Sequence, residues 1–234
     1  MILAMAGLVA SAAGIASQVL PRRFTAAQQQ KIIAWETAKR WRTMPAGKIF
    51  PASVGYQLPD YDGTPGSQLP LVANRVGIAP QAACGTGADP AAARVLDVGH
   101  CAVMLRATYT DETESMLVTV GVAVMPGAAA AQTAAAALSE DHGQLSGVRA
   151  ASFPDTLASG FSDDQRQLSW AVSKGPYVVL STIGYADGRP QVQVSSDPYA
   201  DQEMTSVAAG VSGAIEVLLG AVPPAPRCPG APGC

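Results

Sequence analysis

The sequence predicts an α+β fold: two ββα-like units build an antiparallel sheet with helices packed on one face, preceded by an N-terminal transmembrane or signal helix. Two pairs of segments in which apolar and polar residues alternate, each followed by a helix-favouring segment, support the sheet and helices. The first 20 residues carry no charged side chain, which supports the N-terminal helix. With 234 residues, 48% apolar content and a formal net charge of −3, the chain suits one main domain with extra terminal segments.

Residues 1–20 are the candidate membrane segment of the sequence. As a helix they would span roughly 30 Å, which is the thickness of one hydrocarbon core. A cleaved signal peptide is the main alternative, because Ala, Gly and Ser dilute the run and small residues at 10–12 and 14–16 suit cleavage. An ordinary buried helix is the third possibility.

Basic residues follow this run, and by the positive-inside rule they would place the rest of the chain in the cytoplasm. A basic leader is expected before such a run, yet the chain opens inside it, so we expect further residues upstream. Together with the cysteines, this favours a single-pass protein with its C-terminal domain outside, or a secreted domain after cleavage. The basic residues expected beside the membrane are Arg22, Arg23, Lys31, Lys39, Arg40 and Arg42.

A juxtamembrane helix is predicted after the apolar run, within segment 21–44. Thr25 and Gln28 have the spacing of a capping box, and the helix is expected over 26–42. It carries Trp35 and Trp41 among basic residues, so it suits either of two surfaces. One is a membrane with anionic headgroups, and the other is the domain itself.

The four cysteines predict two disulfides, because an even number in an exported chain favours bonding. Cys84 and Cys101 would close a local loop and restrict the unfolded chain by about 3 kcal/mol. Cys228 and Cys234 bracket a flexible PGAPG stretch in the tail, residues 223–234. A tail bonded to Cys84 or Cys101, a zinc site and unpaired thiols are the alternatives, although neither pair has the CxxC-type spacing of structural zinc sites.

The domain itself is expected over 45–222, where two pairs of alternating segments supply the strands. The pairs are 103–109 with 116–124, and 166–173 with 177–185, and each predicts an antiparallel hairpin. Pro and Gly punctuate residues 45 to 90, which predicts turns, irregular structure and one strand within 48–58. A third short strand is expected at 191–195.

Helices are predicted at 128–140, which is rich in alanine, and at 201–219, where apolar residues recur every three or four positions. In the second helix, Met204, Val207, Val211, Ile215 and Leu218 line up on one face. The residues predicted to be buried between sheet and helices are Val118, Val120, Val122, Val179, Ile183, Val211, Ile215 and Leu218.

Short stretches along the chain carry a family resemblance: AGKIFPASV, RVGIAP, ATYTD, VTVGVAVMPG, GPYVVLSTIGYADGRP and CPGAPGC. They look like those of uncharacterised actinobacterial proteins, secreted or membrane-anchored, with one N-terminal hydrophobic segment. The resemblance covers nearly the whole chain and implies no known activity. More loosely, the ββα units resemble the extracytoplasmic domains of actinobacterial lipoproteins and sensor kinases in architecture.

Catalytic patterns are weak in this sequence. The histidines, His100 and His142, have no third ligand at a metal-binding spacing, and no GxSxG elbow or phosphate loop occurs. His100 adjoins Cys101, but neighbours in a strand point to opposite faces and do not easily share a proton. The carboxylate pairs at 111–112, 140–141 and 163–164 suit turns or helix ends.

We therefore expect a non-catalytic, membrane-anchored extracytoplasmic domain that acts as an accessory, sensor or assembly partner in the cell envelope. It would need no cofactor, and its partners would be the membrane, through the N-terminal helix, and an envelope protein. A pI near 5.3 argues against nucleic acid. A secreted or tethered hydrolase without a local motif and a lipid or small-ligand carrier are the alternatives, and an apolar cavity would favour the carrier.

Overall fold

The computed structural model describes residues 23–59, 68–139, 146–191, 198–222, 224–225 and 227–228. These residues fall into two compact units, one holding residues 23–36 with the described residues from 222 onward, and the other Thr37–Ala221. The predicted membrane or signal segment, 1–20, lies outside the described residues. Within the described ranges, no helix is both long enough and apolar enough to cross a membrane.

Helix α1, Ala26–Thr43, begins at the predicted capping box. The backbone N–H of Gln28 donates to the Thr25 hydroxyl at 3.3 Å, and the Thr25 N–H donates to the Gln28 side-chain oxygen at 2.9 Å. These two bonds satisfy donors that the start of a helix leaves free. The first unit also pairs Phe24 N–H with the Arg227 carbonyl at 2.6 Å. The predicted start of this helix is confirmed.

The second unit contains a six-stranded antiparallel sheet with the order β1-β2-β3-β4-β6-β5. Both predicted hairpins are present, and they meet where β4 pairs with β6. The strands are β1 Ser53–Pro59, β2 Gln68–Ala82, β3 Val103–Thr110, β4 Met116–Val124, β5 Arg166–Lys174 and β6 Tyr177–Tyr185.

Five helices and one 3₁₀ turn, Asp163–Gln165, complete the described part of this unit. Helix α5 follows the β3–β4 hairpin and α6 follows the β5–β6 hairpin, so the two predicted ββα units are present. The helices are α2 Ala46–Ile49, α3 Cys84–Gly87, α4 Pro90–Val98, α5 Ala128–Ser139 and α6 Pro198–Gly220. The α+β class and the antiparallel sheet are thereby confirmed.

The helices pack on both faces of the sheet, whereas the sequence predicted one face. Val122 of β4 lies in a core shared with α6, and its neighbour Ala123 lies in a second core shared with α4 and α5. Successive strand residues point to opposite faces, so the two cores lie on opposite sides. All nine residues of β4 are buried, which is the signature of a strand covered on both sides.

The core between α6 and the sheet contains the predicted valines of β4 and β6 and most of the predicted face of α6. Leu218 is the exception, because it is only half-buried while Leu219 is fully buried. The helical period of 3.6 explains the difference, since a step of four from Ile215 reaches position 219. The α6 residues of this core are Met204, Val207, Val211, Ile215 and Leu219.

Residues 45 to 90 are more regular than their sequence predicted. Strand β1 agrees with the single strand expected there, but β2 is a 15-residue strand that pairs with both β1 and β3. Its register shifts between Arg75 and Gly77 and again between Ala79 and Ala82, where Pro80 lies. Irregularities of this kind let a strand tolerate Gly and Pro. The third short strand predicted at 191–195 falls almost wholly outside the described residues.

Candidate functional site

Helix α4 is fixed at its start by Asp89, the N-cap residue. The Asp89 Oδ1 accepts hydrogen bonds from the backbone N–H groups of Ala91 and Ala92, both at 2.9 Å. Its Oδ2 accepts from the Gly147 N–H and from Arg166 Nη1, both at 2.5 Å. Because two donors engage each oxygen, this carboxylate holds α4, a loop and β5 together rather than offering a free base.

A second carboxylate extends the same network. Asp163 Oδ1 accepts from Arg166 Nη2 at 2.7 Å and from the Ala150 N–H at 2.9 Å, and its Oδ2 accepts from Arg149 Nη1 at 3.3 Å. The Arg166 side chain is only 7% exposed between its two partners. A buried charge needs compensation of this kind, so we assign the network a structural role.

Threonines on the sheet face that carries α4 and α5 form hydrogen bonds with the chain that returns from α5 to β5. The Thr182 hydroxyl donates to the Val148 carbonyl at 2.7 Å, and the Thr108 hydroxyl donates to the Ala151 carbonyl at 2.7 Å. The Thr119 hydroxyl accepts from the Ala151 N–H at 2.9 Å. This polar part of the face is thereby covered by backbone whose buried polar groups are paired.

Helix α4 ends in a Schellman motif, an arrangement that satisfies the last free carbonyls of a helix. The Cys101 N–H donates to the Leu96 carbonyl at 2.9 Å, and the His100 N–H donates to the Asp97 carbonyl at 2.9 Å. His100 has φ of 58°, the left-handed conformation that glycine usually supplies at this position. His100 therefore lies in a helix-ending turn. The sequence had suggested a strand at this position.

A disulfide joins Cys84 in α3 to Cys101, the residue after His100, with a Cα–Cα distance of 6.2 Å. This confirms the predicted bond and excludes a tail bonded to either cysteine. It also removes Cys101 as a nucleophile, because a disulfide sulfur carries no thiolate. Cys228 is likewise disulfide-bonded, but Cys234 lies outside the described residues, so the pairing within the tail stays a prediction.

An apolar pocket lies between α4 and α5, with a volume of about 620 Å³. Helix α5 presents one stripe to it at helical spacing, namely Ala130, Thr133, Ala134 and Ala137. Alanine side chains end at Cβ, so this stripe cannot fill the space up to α4, and a gap remains where protein interiors are normally close-packed. The volume falls within the roughly 300–1,000 Å³ typical of ligand sites.

Helix α4 and the turn after it form the opposite wall and the rim. Val95 and Val98 supply apolar surface, and Val98 is 82% exposed. Arg94 and His100 also line the pocket, and both are exposed. The lining contains Arg94 and no carboxylate, so its formal charge is positive. An apolar cavity with a few polar groups at the rim is the usual form of a small-molecule site.

The predicted membrane-proximal basic residues occupy different environments along α1. Arg40 Nη2 donates to the Leu218 carbonyl at 3.0 Å, near the C-terminal end of α6, where a cation is favourable. Arg42 lies over the Trp41 ring, 4.5 Å from its centroid, and Trp41 packs on the core below α6. Trp35 is 55% exposed.

Of the other members of that set, Arg23 and Lys31 belong to the first unit and Lys39 to the second. Arg23 and Lys31 are exposed, Lys39 is half-buried, and Arg22 is outside the described residues. The second half of α1 thus packs on the domain. A membrane surface for its first half remains a prediction.

Tyr56 of β1 and Glu203 of α6 have shifted pKa values near the acidic residues of the β3–β4 turn. Burial, followed by the charges of Asp111, Glu203 and Glu112, raises the pKa of Tyr56 to about 12. Burial and the negative charge of Asp111 also raise the pKa of Glu203 above its ordinary value of 4.5. Asp111 is occupied by the turn, since its Oδ1 accepts from the Met116 N–H at 2.6 Å. Asp111 therefore has a structural part in the turn, and its negative charge acts on the pKa values of Tyr56 and Glu203.

Among the described residues, no cluster of three or more His, Cys, Asp or Glu side chains has the geometry of a metal site. His142 and the pair at 140–141 lie outside them. The fold and the pocket together define a small α+β domain with an apolar pocket bounded by two helices. Neither a known protein family, nor a curated protein, nor a solved structure matches the chain.

The residues of the pocket were not predicted from the sequence, because the pocket depends on the distance between two helices.

Proposed function

We propose that this chain is a non-catalytic extracytoplasmic domain, anchored through its N-terminal segment, that binds a small apolar ligand as an accessory or sensor of the cell envelope. The pocket between α4 and α5 carries the proposal. Its 620 Å³ of largely apolar space is wide enough for a small ligand and open to solvent along Val98. The proposal joins the accessory role expected from the sequence with its carrier alternative.

The chemistry around the pocket supports binding rather than catalysis. The nearby cysteine is in a disulfide, and Asp89 at the start of α4 is fully hydrogen-bonded. His100 accordingly has no free thiol next to it in the chain, because Cys101 is in the disulfide. The disulfide also supports an oxidising compartment outside the cytoplasm, where such bonds persist.

Fluorescence of N-phenyl-1-naphthylamine, a neutral dye that brightens in apolar surroundings, tests the binding function. We expect the full chain to enhance the dye signal saturably. Ala137→Phe should abolish the enhancement, because the new ring would occupy the space that Ala137 leaves in the pocket. Ala137 is exposed on α5, so a large side chain there should leave the fold intact.

Ala136→Phe is the matched control, since Ala136 is the adjacent exposed residue and does not line the pocket. It should retain the full dye signal. Absence of saturable enhancement in the wild-type chain, or equal enhancement in both variants, would show that this pocket is not the binding site.

A further inference from the structure

We infer that the ligand of the α4–α5 pocket is an anionic amphiphile, with one apolar chain and one negatively charged head group. The inference rests on the proposed function, because it names the ligand class of the same pocket. Three features of the pocket support it: the apolar walls, the charges at the rim and the backbone of His100.

The walls of the pocket suit a hydrocarbon chain. Val95 and Val98 face the alanine stripe of α5, and nothing polar interrupts this surface except Thr133 and the rim. An apolar chain gains by leaving water for such a surface, by about fourfold in affinity for each methylene group buried. The exposed Val98 would be covered by the same chain.

The rim suits a negative head group. The side chains of Arg94 and His100 make no ion pair or hydrogen bond with any described residue, and no carboxylate lines the pocket. The chain as a whole has a net charge of −3, so a cationic rim is a local feature and not a reflection of composition. A guanidinium donates two parallel hydrogen bonds to a carboxylate or phosphate, and it repels a cationic head group.

The backbone conformation of His100 is the third, independent observation. Its φ of 58° is costly for a residue with a side chain, and glycine would adopt it freely. Strained residues of this kind concentrate at ligand sites, where the side chain is needed. The disulfide at Cys101 and the Schellman hydrogen bonds hold the turn in place, and they fix His100 at the rim beside Arg94.

Displacement of N-phenyl-1-naphthylamine from the full chain tests the ligand class. The competitors are dodecanoate, dodecyltrimethylammonium and 1-dodecanol, which share a twelve-carbon chain and differ in head-group charge, used below the concentrations at which they aggregate. We expect dodecanoate to compete at a concentration about tenfold lower than the cationic compound, a difference equal to about 1.4 kcal/mol. Decanoate should bind about fifteenfold more weakly than dodecanoate, because it buries two fewer methylene groups.

Charge reversal at the rim is the second arm. Arg94→Glu should weaken dodecanoate binding about fivefold or more, since it replaces an exposed attraction by a repulsion. Lys48→Glu is the control, because Lys48 is exposed on α2, does not line the pocket and changes the net charge equally. It should change affinity less than twofold. Arg94→Gln, which removes only the charge, gives a milder test if the reversal harms folding.

The outcomes separate this inference from the proposed function. If the dye itself does not bind, the binding function fails. If the dye binds but no competitor displaces it, or the three competitors act at equal concentrations, or Arg94→Glu equals Lys48→Glu, the anionic amphiphile is wrong while the apolar site stands.

Discussion

His100 follows Gly99 at the end of α4 and takes the left-handed conformation itself, with φ of 58°. Helices most often place glycine at this point, because a Cβ makes the conformation unfavourable. Two other non-glycine residues with positive φ occur among the described residues, Glu114 and Asp155, and neither lines the pocket. His100 thus combines a local energetic cost with a position at the rim of the candidate site.

His100→Gly should raise stability and weaken ligand binding at once. Glycine relieves the positive φ, and its greater freedom in the unfolded chain offsets part of the gain, so we expect about 0.5–1 kcal/mol of added stability. The loss of the imidazole should weaken dodecanoate binding, measured by dye displacement, while urea unfolding reports stability. A gain in one property with a loss in the other is typical of a residue kept for function.

Glu114→Gly provides the matched control for this prediction. Glu114 has φ of 57° in the turn between β3 and β4, and it is exposed and does not line the pocket. It should raise stability by a similar amount and leave dodecanoate affinity unchanged. If His100→Gly behaves in the same way as Glu114→Gly, His100 has no part in binding.

The two long helices after the hairpins illustrate different sequence signals. Helix α6 was predicted from its period, and Ile215 and Val211 are buried as expected. Helix α5 was predicted from alanine propensity, which indicates a helix but not which residues face the sheet. The pocket arises from that same composition, because alanines leave space that larger side chains would fill. A helix and its buried face can therefore be predicted, whereas a gap beside it requires the packing distance.

The elements that sequence reasoning missed have local signals that tertiary structure overrides. Strand β2 contains Pro70, Gly77 and Pro80, which favour turns in isolation, yet its two register shifts and its pairing with β1 and β3 hold it extended. Helix α4 had one visible signal, Asp89 followed by proline, which is a common helix start. The hydrogen bond from Gly147 to Asp89 joins residues 58 positions apart, so no local pattern indicates it.

Ile215→Ala tests the assignment of the buried face of α6. Ile215 is fully buried against the sheet, so truncation should cost roughly 2–5 kcal/mol in the free energy of unfolding, measured with urea. Val217→Ala is the control, because Val217 is 65% exposed on the same helix and its loss should cost less than about 0.5 kcal/mol. Equal effects of the two substitutions would show that the helix face is assigned wrongly.

On the scale of the whole molecule, the sheet face that carries α4 and α5 is divided between two kinds of cover. The polar part, with Thr108, Thr119 and Thr182, is closed by paired backbone and by the ion pairs of Arg166. The apolar part is covered by α4 and α5, and the facing side chains are too small to fill the space between these two helices. The ion pairs and threonine hydrogen bonds therefore lie in one region of this face, and the candidate pocket lies in a separate, neighbouring region.

The Cys84–Cys101 disulfide connects these regions, since it joins α3 to the turn that holds His100. It closes a loop with a sequence separation of 17, so the chain-entropy account gives it about 3 kcal/mol of stabilisation. Replacing both cysteines by serine should lower the free energy of unfolding of the second unit by about this amount, measured with urea. It should also weaken dye binding, because the turn after α4 loses its covalent tie.

Replacing Cys228 and Cys234 by serine is the matched control, because Cys228 belongs to the first unit and the change should leave unfolding of the second unit unaltered.

The Cys84–Cys101 disulfide also tests the compartment in which the chain folds. In cells that produce the full chain with its N-terminal segment, thiols alkylated before lysis should leave Cys84 and Cys101 unmodified, because disulfides persist only in an oxidising environment. Full alkylation of both cysteines in properly folded protein would contradict the extracytoplasmic assignment, since it would mean that the domain resides where thiols stay reduced.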